Sequence, residues 1–275
     1  MSIIETGSFS ASAQEMHCVQ SNITSRIRRL ETHLGQPVFE RGRGGARVTE
    51  FGQLLRQHAE DLLPRFDAAE RDLLDAAGVS APLRLGAMET TAAARLPSML
   101  KALKQLCPTA PISLRTGPTG ELVSLLWGRK IDTAFVASPI DESRFRSVPA
   151  FREHLVLARS ATNDQAGPLL AFRSGCSYRA TAESWLRSDG KSDTEIIEMG
   201  TLEGILGCVE AGMGFAIAPE SAIRTYRGVR SLSLATLPEP YALVETHLAW
   251  RVDHKPSHAH QALCHLIEEN LAESA

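Results

Sequence analysis

Apolar side chains in the first part of the chain recur at helical spacing. Between residues 20 and 34 they form one stripe, which predicts an amphipathic helix, and Gly35 then suits a left-handed C-terminal cap. A shorter helix is predicted over 9–16 with Ser8 as its N-cap, and residues 17–19 predict a tight turn between the two helices. The stripe of the second helix consists of Ile23, Ile27, Leu30 and Leu34.

The opposite face of the second helix is polar. Hydroxyl and amide side chains occupy its start and arginines follow, a pattern typical of helices that read base edges in the major groove of DNA. Residues 37–49 predict two short strands joined by a glycine–arginine loop, which would form a wing beside the helix. The polar positions of the helix are Gln20, Ser21, Asn22, Thr24, Ser25, Arg26, Arg28 and Arg29.

Positive charge is concentrated in the same region. The whole chain has a net charge of −3, so any affinity for nucleic acid must be local. The excess of arginine between residues 26 and 47 indicates a phosphate-binding patch, although a solvated helix face would give the same pattern.

The segment from Glu5 to Gly52 resembles the winged helix-turn-helix of the LysR-type transcriptional regulators. The residues that carry this resemblance are Gly7-Ser8-Phe9, Gln20-Ser21, Ile27, Leu30-Glu31, Leu34-Gly35, Phe39-Glu40-Arg41, Thr49 and Gly52. The resemblance implies two groups of DNA contacts. Base-facing residues would be Gln20, Ser21, Thr24 and Ser25. Phosphates or the flanking groove would be held by Arg26, Arg28, Arg43 and Arg47, and Asn22 completes the predicted contact set.

The start of the chain departs from the family pattern. The family has a longer first helix before the position of Glu5, and Met1–Ile4 would be only its tail, through a late-assigned start or a natural truncation. A truncated first helix is expected to expose Phe9, Ile23 and Ile27 and to weaken DNA binding unless something else covers that face. The alternative function is therefore a ligand-binding module with impaired DNA binding.

One long helix is predicted over 51–78, with its apolar residues on one side. That side would pack on its own domain or pair with a second copy in a coiled-coil-like seam. The resemblance favours the seam, because the family dimerises through this helix and presents two reading heads to a pseudo-palindromic site. Pro64 predicts a kink. The apolar positions are Phe51, Leu55, Ala59, Leu62, Phe66, Ala69, Leu73 and Ala76.

After a breaker cluster at 78–82, short apolar runs alternate with helical segments, such as a helix predicted over 91–106, which indicates an α/β domain. Two such sets joined by crossovers near 148–156 and 243–249 resemble the two-lobed, periplasmic-binding-protein-like effector domain of the LysR family. The fold class is therefore multidomain α + α/β. The predicted parts are a winged helix-turn-helix at 1–50, a linker helix at 51–78 and an effector domain at 81–275, with lobe I at about 81–150 and 248–275 and lobe II at about 155–243.

Loops at the carboxyl ends of the predicted strands would converge on a cleft between the lobes, where such folds bind small ligands. Their hydroxyls, helix-start amides and arginines suit a small anionic effector such as a carboxylate. Individually, the hydroxyls would serve equally well as N-caps, and Arg173 or Arg179 as external ion-pair residues. Cys176 adds a redox-sensing alternative, because a helix start lowers a thiol pKa. The predicted effector contacts are Thr90, Thr91, Thr116, Gly117, Ser138, Arg173, Cys176, Ser177, Tyr178 and Thr201.

Other classes of function have little support. His260 and Cys264 are spaced to share a metal, but a surface helix capped by Ser257 explains the same run, so no metal or cofactor is expected. Nucleotide-binding, nucleophile-elbow and zinc-protease motifs are missing from the sequence, so no enzymatic activity is expected. Lacking a signal-peptide pattern and a membrane-length apolar run, the protein is predicted to be cytoplasmic. Expected partners are double-stranded DNA, a small-molecule effector, further copies in a homodimer or homotetramer, and RNA polymerase.

Overall fold

A computed structural model describes residues 1–42, 45–77, 81–163 and 167–274 of the chain. It divides into two compact units, Met1–Glu70 and Arg71–Ala275. The predicted wing contact Arg43 and the predicted breaker residues 78–80 lie outside the described residues.

The first unit has the helices and the two-stranded wing that the sequence predicts. Its elements are α1 (Ser2–Thr6), α2 (Phe9–Glu15), α3 (Gln20–Leu34), β1 (Phe39–Gly42) and β2 (Gly45–Val48), followed by α4 (Glu50–Ala76), whose last residues belong to the second unit. Ser8 caps α2 by accepting the N–H of Ala11, and Gly35 ends α3 with a φ of 72°, as a left-handed cap requires. β1 and β2 pair antiparallel, with Phe39 opposite Val48.

The core of this unit is closed by the short α1. Ile3 is buried together with Ala13 and Ile23, and Phe9 and Ile27 are partly buried against them. The expectation that Ile23 would be exposed is wrong, because it is only 5% exposed. The structural reason for expecting weak DNA binding, an open helical core, is therefore absent from the described part of this unit.

The long helix α4 runs without a break from Glu50 to Ala76, and the kink expected at Pro64 stays a prediction. Leu62, Phe66 and Leu73 follow one another at intervals of four and seven residues, so they share one face. They are 64%, 68% and 71% exposed, which leaves a stripe of large apolar side chains uncovered in the single chain. None of the helices in the described ranges is apolar enough over a sufficient length to span a bilayer.

The second unit is a two-lobed α/β structure, which confirms the predicted fold class. Its elements are β3 (Leu83–Ala87), α5 (Glu89–Ala94), α6 (Leu96–Leu106), β4 (Ile112–Thr116), α7 (Thr119–Trp127), β5 (Thr133–Ala137), β6 (Phe145–Ser160), β7 (Leu169–Phe172), α8 (Ser177–Ser188), β8 (Ile196–Met199), α9 (Leu202–Glu210), β9 (Ala216–Pro219), α10 (Glu220–Ile223), a short 3-10 turn (Val229–Ser231), β10 (Leu232–Thr236), β11 (Leu243–Arg251) and α11 (His258–Ser274).

Two long antiparallel strands join the lobes. In the main sheet the strand order is β10-β6-β11-β5-β3-β4, and β9 also pairs with β6. The first half of β6 pairs with β11 beside the parallel strands β3, β4 and β5, whereas its second half pairs with β9 and β10. β7 and β8 pair in parallel, and β7 approaches β9 through the N–H of Leu170 and the carbonyl of Phe215. The residues of β6 and β11 therefore form the passage between the lobes that the sequence predicts.

The buried carboxylate of Glu153, on β6, forms hydrogen bonds with residues of both lobes. Glu153 on β6 forms a two-point ion pair with Arg95, at 3.0 Å and 3.3 Å, and also accepts a 2.6 Å hydrogen bond from Ser221. Arg95 lies between α5 and α6, and Ser221 lies on α10. Because Glu153 is itself buried, these hydrogen bonds compensate a charge that would otherwise be costly to remove from water.

His260, in the first turn of α11, is fully buried and makes folding stability depend on pH. Its ring packs edge-on against Trp250 with centroids 4.8 Å apart, and neither ring nitrogen has a hydrogen-bond partner among the described residues. Burial lowers the pKa of His260 from 6.5 to about 4. Between these values the unfolded chain binds a proton that the folded chain does not, so stability falls on acidification, by up to about 3 kcal/mol.

We expect His260→Leu to remove most of this pH dependence. Urea unfolding at about pH 7 and about pH 5, followed by tryptophan fluorescence, measures it, because Trp127, Trp185 and Trp250 all lie in the second unit. His265→Leu is the matched control, since His265 is on the exposed side of the same helix. An unchanged loss of stability at low pH in His260→Leu would contradict the assignment.

Candidate DNA interface and effector cavity

The outer face of α3 forms a shallow polar groove. It brings together five of the predicted DNA contacts, Gln20, Ser21, Thr24, Ser25 and Arg28, beside Arg29, Thr32 and His33. Gln20 is held in place because its side-chain oxygen accepts a 2.9 Å hydrogen bond from Ser10 on α2. Hydroxyls, an amide and guanidinium groups at these positions match the donors and acceptors that base edges and phosphates require.

Other predicted DNA contacts lie elsewhere. Asn22 and Arg26 are exposed on the flank of α3. At 3.6 residues per turn, they lie about a third of a turn round the helix from the middle of the groove. Arg47 is exposed on β2. The sequence prediction left out Thr32 and did not commit Arg29 to the contact set, although Thr32 follows Arg28, and Arg29 follows Ser25, at a spacing of four residues.

The residues that carry the LysR resemblance hold the wing in place. Glu31 on α3 accepts the N–H groups of Val38 and Phe39, at 2.8 Å and 3.2 Å, and so fixes the start of β1. Thr49 caps α4 by accepting the N–H of Gly52. A Cβ at Gly52 would collide with the carbonyl oxygen of Val38, so only glycine fits there. These contacts set the position of the wing relative to α3.

A cavity of about 150 Å³ lies between the two lobes of the second unit. It brings together six predicted effector contacts, Thr90, Thr116, Gly117, Arg173, Cys176 and Tyr178. The sequence prediction did not commit the remaining lining residues Met88, Glu89, Pro118, Thr119, Phe172 and Gly200 to the contact set. The buried hydroxyl of Thr90 donates to the hydroxyl of Tyr178 at 3.4 Å, which joins lobe I to lobe II across the cavity wall.

Four predicted effector contacts are not in the lining. Thr91 is buried inside α5, and Ser138 is exposed, with its N–H donating to Glu245. The hydroxyl of Ser177 points to the sulfur of Met88, at 3.9 Å. Thr201 caps α9 by accepting the N–H of Gly204, at 3.1 Å, as the N-cap interpretation of this residue predicted.

Two amides at helix starts near the cavity already have partners. One carboxylate oxygen of Glu89 accepts the N–H of Leu202, the first residue of α9, at 2.9 Å. The N–H of Gly120, in the first turn of α7, donates to the carbonyl of Gly175 at 3.3 Å. These two amides are therefore not free to bind a ligand, whereas ligand binding by other helix-start amides stays a prediction.

The two candidate arginines are also engaged. Arg173 lines the cavity but pairs with Glu121 at 3.1 Å. Arg179 pairs with Glu183 and Glu198, at 2.8 Å and 2.7 Å, and is not in the lining. The external ion-pair interpretation is therefore correct for Arg179.

Burial is the main influence on the pKa values of Cys176 and Tyr178 in the cavity lining. It raises the pKa of the Cys176 thiol, although the N–H groups of Arg179 and Tyr178 act in the opposite direction. The expectation that the start of α8 would lower this pKa is therefore wrong, and the redox-sensing alternative loses its basis. Burial likewise raises the pKa of Tyr178, so its hydroxyl stays neutral and available for hydrogen bonding.

Comparisons with known proteins agree with this architecture. Residues 1–53 match the bacterial regulatory helix-turn-helix protein, lysR family, and residues 76–272 match the LysR substrate binding domain. The HTH-type transcriptional regulator YusT of Bacillus subtilis (strain 168), itself uncharacterized, is 34% identical over 91% of this chain and 87% of its own length.

Two solved structures share the fold. A full-length OxyR variant from Pseudomonas aeruginosa has a TM-score of 0.68 at 21% identity and covers 97% of this chain and 94% of its own. Full-length CbnR in complex with its target DNA has a TM-score of 0.62 at 21% identity and covers 98% and 96%. The alternative of a ligand-binding module without DNA function is not favoured by these matches. The chain belongs to the LysR family of DNA-binding transcriptional regulators, which are not enzymes.

Proposed function

We propose that a small effector bound in the cavity between the lobes controls how this regulator engages DNA. The observation that carries the proposal is that a cavity is lined by residues of both lobes, with Thr90 hydrogen-bonded to Tyr178 across it. A ligand in that position contacts both lobes at once and therefore favours one lobe arrangement over another. We propose that Arg173 binds the anionic group predicted for the effector.

The proposed DNA contacts are the groove residues of α3 for base edges, and Arg26, Arg28, Arg43 and Arg47 for phosphates. The support is geometric: the groove is polar, faces away from the core of Ile3, Ala13 and Ile23, and lies on a helix whose wing is anchored by Glu31. A regulator of this kind acts in the cytoplasm, where bacterial DNA is, and contacts RNA polymerase when it changes transcription.

We propose a homodimer built on the exposed stripe of α4, defined by Leu62, Phe66 and Leu73, with a homotetramer as a further assembly of such dimers. Large apolar side chains two-thirds exposed on one helix face are typical of a coiled-coil-like seam. A two-fold axis through this seam would present two α3 helices to a pseudo-palindromic site.

The effector proposal is tested by filling the cavity. Gly200 lines it, and a Cβ built there meets no atom within 4 Å, so Gly200→Leu is expected to occupy ligand space without disturbing the fold. In a thermal-shift screen of small carboxylates and amino acids, a compound that raises the Tm of the wild-type chain should lose at least about 90% of its effect in this variant.

Gly200→Ala is the control, because a single methyl group leaves most of the cavity open. Footprinting upstream of the protein's own gene, with and without the compound, then connects binding to DNA. A compound that shifts Gly200→Leu as strongly as the wild type binds elsewhere, and would contradict the proposed site.

A further inference from the structure

Charge inside the cavity is unusual for a site that would bind a simple anion. Its lining contains one carboxylate, Glu89, and one guanidinium, Arg173. Since Arg173 is paired with the carboxylate of Glu121, the immediate surroundings contain more negative than positive charge. Arg173 is the one cation among the described lining residues, so an anion entering the cavity would share it with Glu121.

Glu89 is only partly satisfied by the protein. One of its oxygens accepts the N–H of Leu202, and the other has no hydrogen-bond partner in the part of the chain that the structure describes. Burial, and then the nearby charge of Glu203, raise the pKa of this carboxyl group, while the Leu202 N–H and Arg173 act in the opposite direction. A cation beside the second oxygen would offset the cost of keeping this carboxylate charged in the cavity wall.

A capping role alone does not explain Glu89. α9 already has its own N-cap, since Thr201 accepts the N–H of Gly204 at 3.1 Å. The Glu89 carboxylate comes from α5 of the other lobe, 113 residues away in sequence, and stands in the cavity lining. Its position therefore suits a ligand contact as well as a contact between lobes.

We propose that the effector is a small zwitterion with an ammonium group on Glu89 and a carboxylate on Arg173, that is, an amino acid or a close analogue. This inference rests on the proposed function, because it assigns the chemistry of the same cavity. Both charged residues line the same cavity, so one small molecule can contact both. A cavity of about 150 Å³ is similar in size to an engineered protein cavity that binds benzene, so a ligand of about six heavy atoms fits.

Matched probes test this chemistry on the full chain. The first set is glycine, alanine and serine; the second, glycolate, lactate and glycerate, replaces the ammonium group by hydroxyl; the third, methylamine, ethylamine and ethanolamine, lacks the carboxylate. Calorimetry is expected to find binding only in the first set. Equal or tighter binding of the hydroxy acids overturns the inference, and so does the absence of binding in all three sets.

Two variants and a matched control, each of which removes one carboxylate charge, separate the roles of Glu89 and Glu121. Glu89→Gln keeps an oxygen for the Leu202 N–H but loses the charge, so it should weaken amino-acid binding at least about tenfold. Glu268→Gln, on the outer side of α11, is the matched control and should leave binding unchanged. Glu121→Gln frees Arg173 and should tighten binding of the ligand carboxylate. Unchanged affinity in Glu89→Gln overturns the inference.

The two levels of the proposal fail differently. If hydroxy acids bind and Gly200→Leu abolishes their binding, the cavity is the effector site but the zwitterion assignment is wrong. If any of these probes binds Gly200→Leu as well as the wild type, the cavity itself is not the site, and the proposed function fails with it.

Discussion

Replacing Phe66 and Leu73 of α4 by glutamate is expected to convert the protein to a monomer and to lower its affinity for operator DNA at least about a hundredfold. Burying a side chain of this kind contributes about 1.5–3 kcal/mol, so three on each of two chains would supply roughly 9–18 kcal/mol before the cost of association. The double variant removes most of that term and places carboxylates in the seam. Loss of the second reading head then removes the gain from bivalent binding, on the order of 10²–10⁴.

Sedimentation and fluorescence anisotropy measure the two effects. Leu54→Glu is the matched control, because Leu54 is also an exposed leucine of α4 but lies off the stripe. It should stay dimeric and bind DNA normally. A Phe66→Glu/Leu73→Glu protein that remains a dimer with unchanged DNA affinity would show that the chain associates through another surface.

Much of the fold could be predicted because the spacing of apolar residues and the positions of glycine and proline determine local structure. The 4-3-4 spacing of apolar residues defines α3 from Gln20 to Leu34, and Gly35 ends it in the left-handed conformation. The predicted helix over 91–106 is instead two helices, α5 and α6, which meet at Arg95. Pro97 lies in the first turn of α6, where a residue without an N–H is tolerated, so the break had a visible signal in the sequence.

The site was harder to predict because its contacts are long-range. The sequence indicated which loops would converge, and six of the ten predicted effector contacts do line the cavity. It did not reveal that Glu89 would cap a helix of the opposite lobe or that Glu121 would pair with Arg173, since both contacts join residues of different lobes that are far apart in sequence. These two carboxylates change the expected ligand from a simple anion to a zwitterion.

The proposed DNA interface and the proposed effector cavity therefore differ in their physical chemistry. The α3 groove is open and lined by uncharged hydrogen-bond donors and acceptors together with arginines, which suits a large polyanion. The cavity is small and has a carboxylate and a guanidinium in its wall, which suits discrimination among small molecules by their charged groups.

Arg28→Ala is expected to reduce DNA affinity by at least about a hundredfold. Arg28 lies in the α3 groove and has no ion-pair partner within the described ranges, so its guanidinium is free to hold a phosphate. A hydrogen bond to a charged group contributes about 1.5–3 kcal/mol, and a dimer makes the contact once in each half-site, which gives about 3–6 kcal/mol in total.

Salt dependence shows what Arg28 contacts. If Arg28 holds one phosphate in each half-site, the negative slope of log affinity against log salt should become less steep by about 1.8 in the variant. Binding to specific and to non-specific DNA should be weakened alike. Arg187→Ala, on the exposed side of α8, removes the same charge far from α3 in sequence and should change neither quantity. An unchanged slope with relaxed sequence preference would instead assign Arg28 to a base edge, and unchanged affinity would contradict the placement of this residue in the interface.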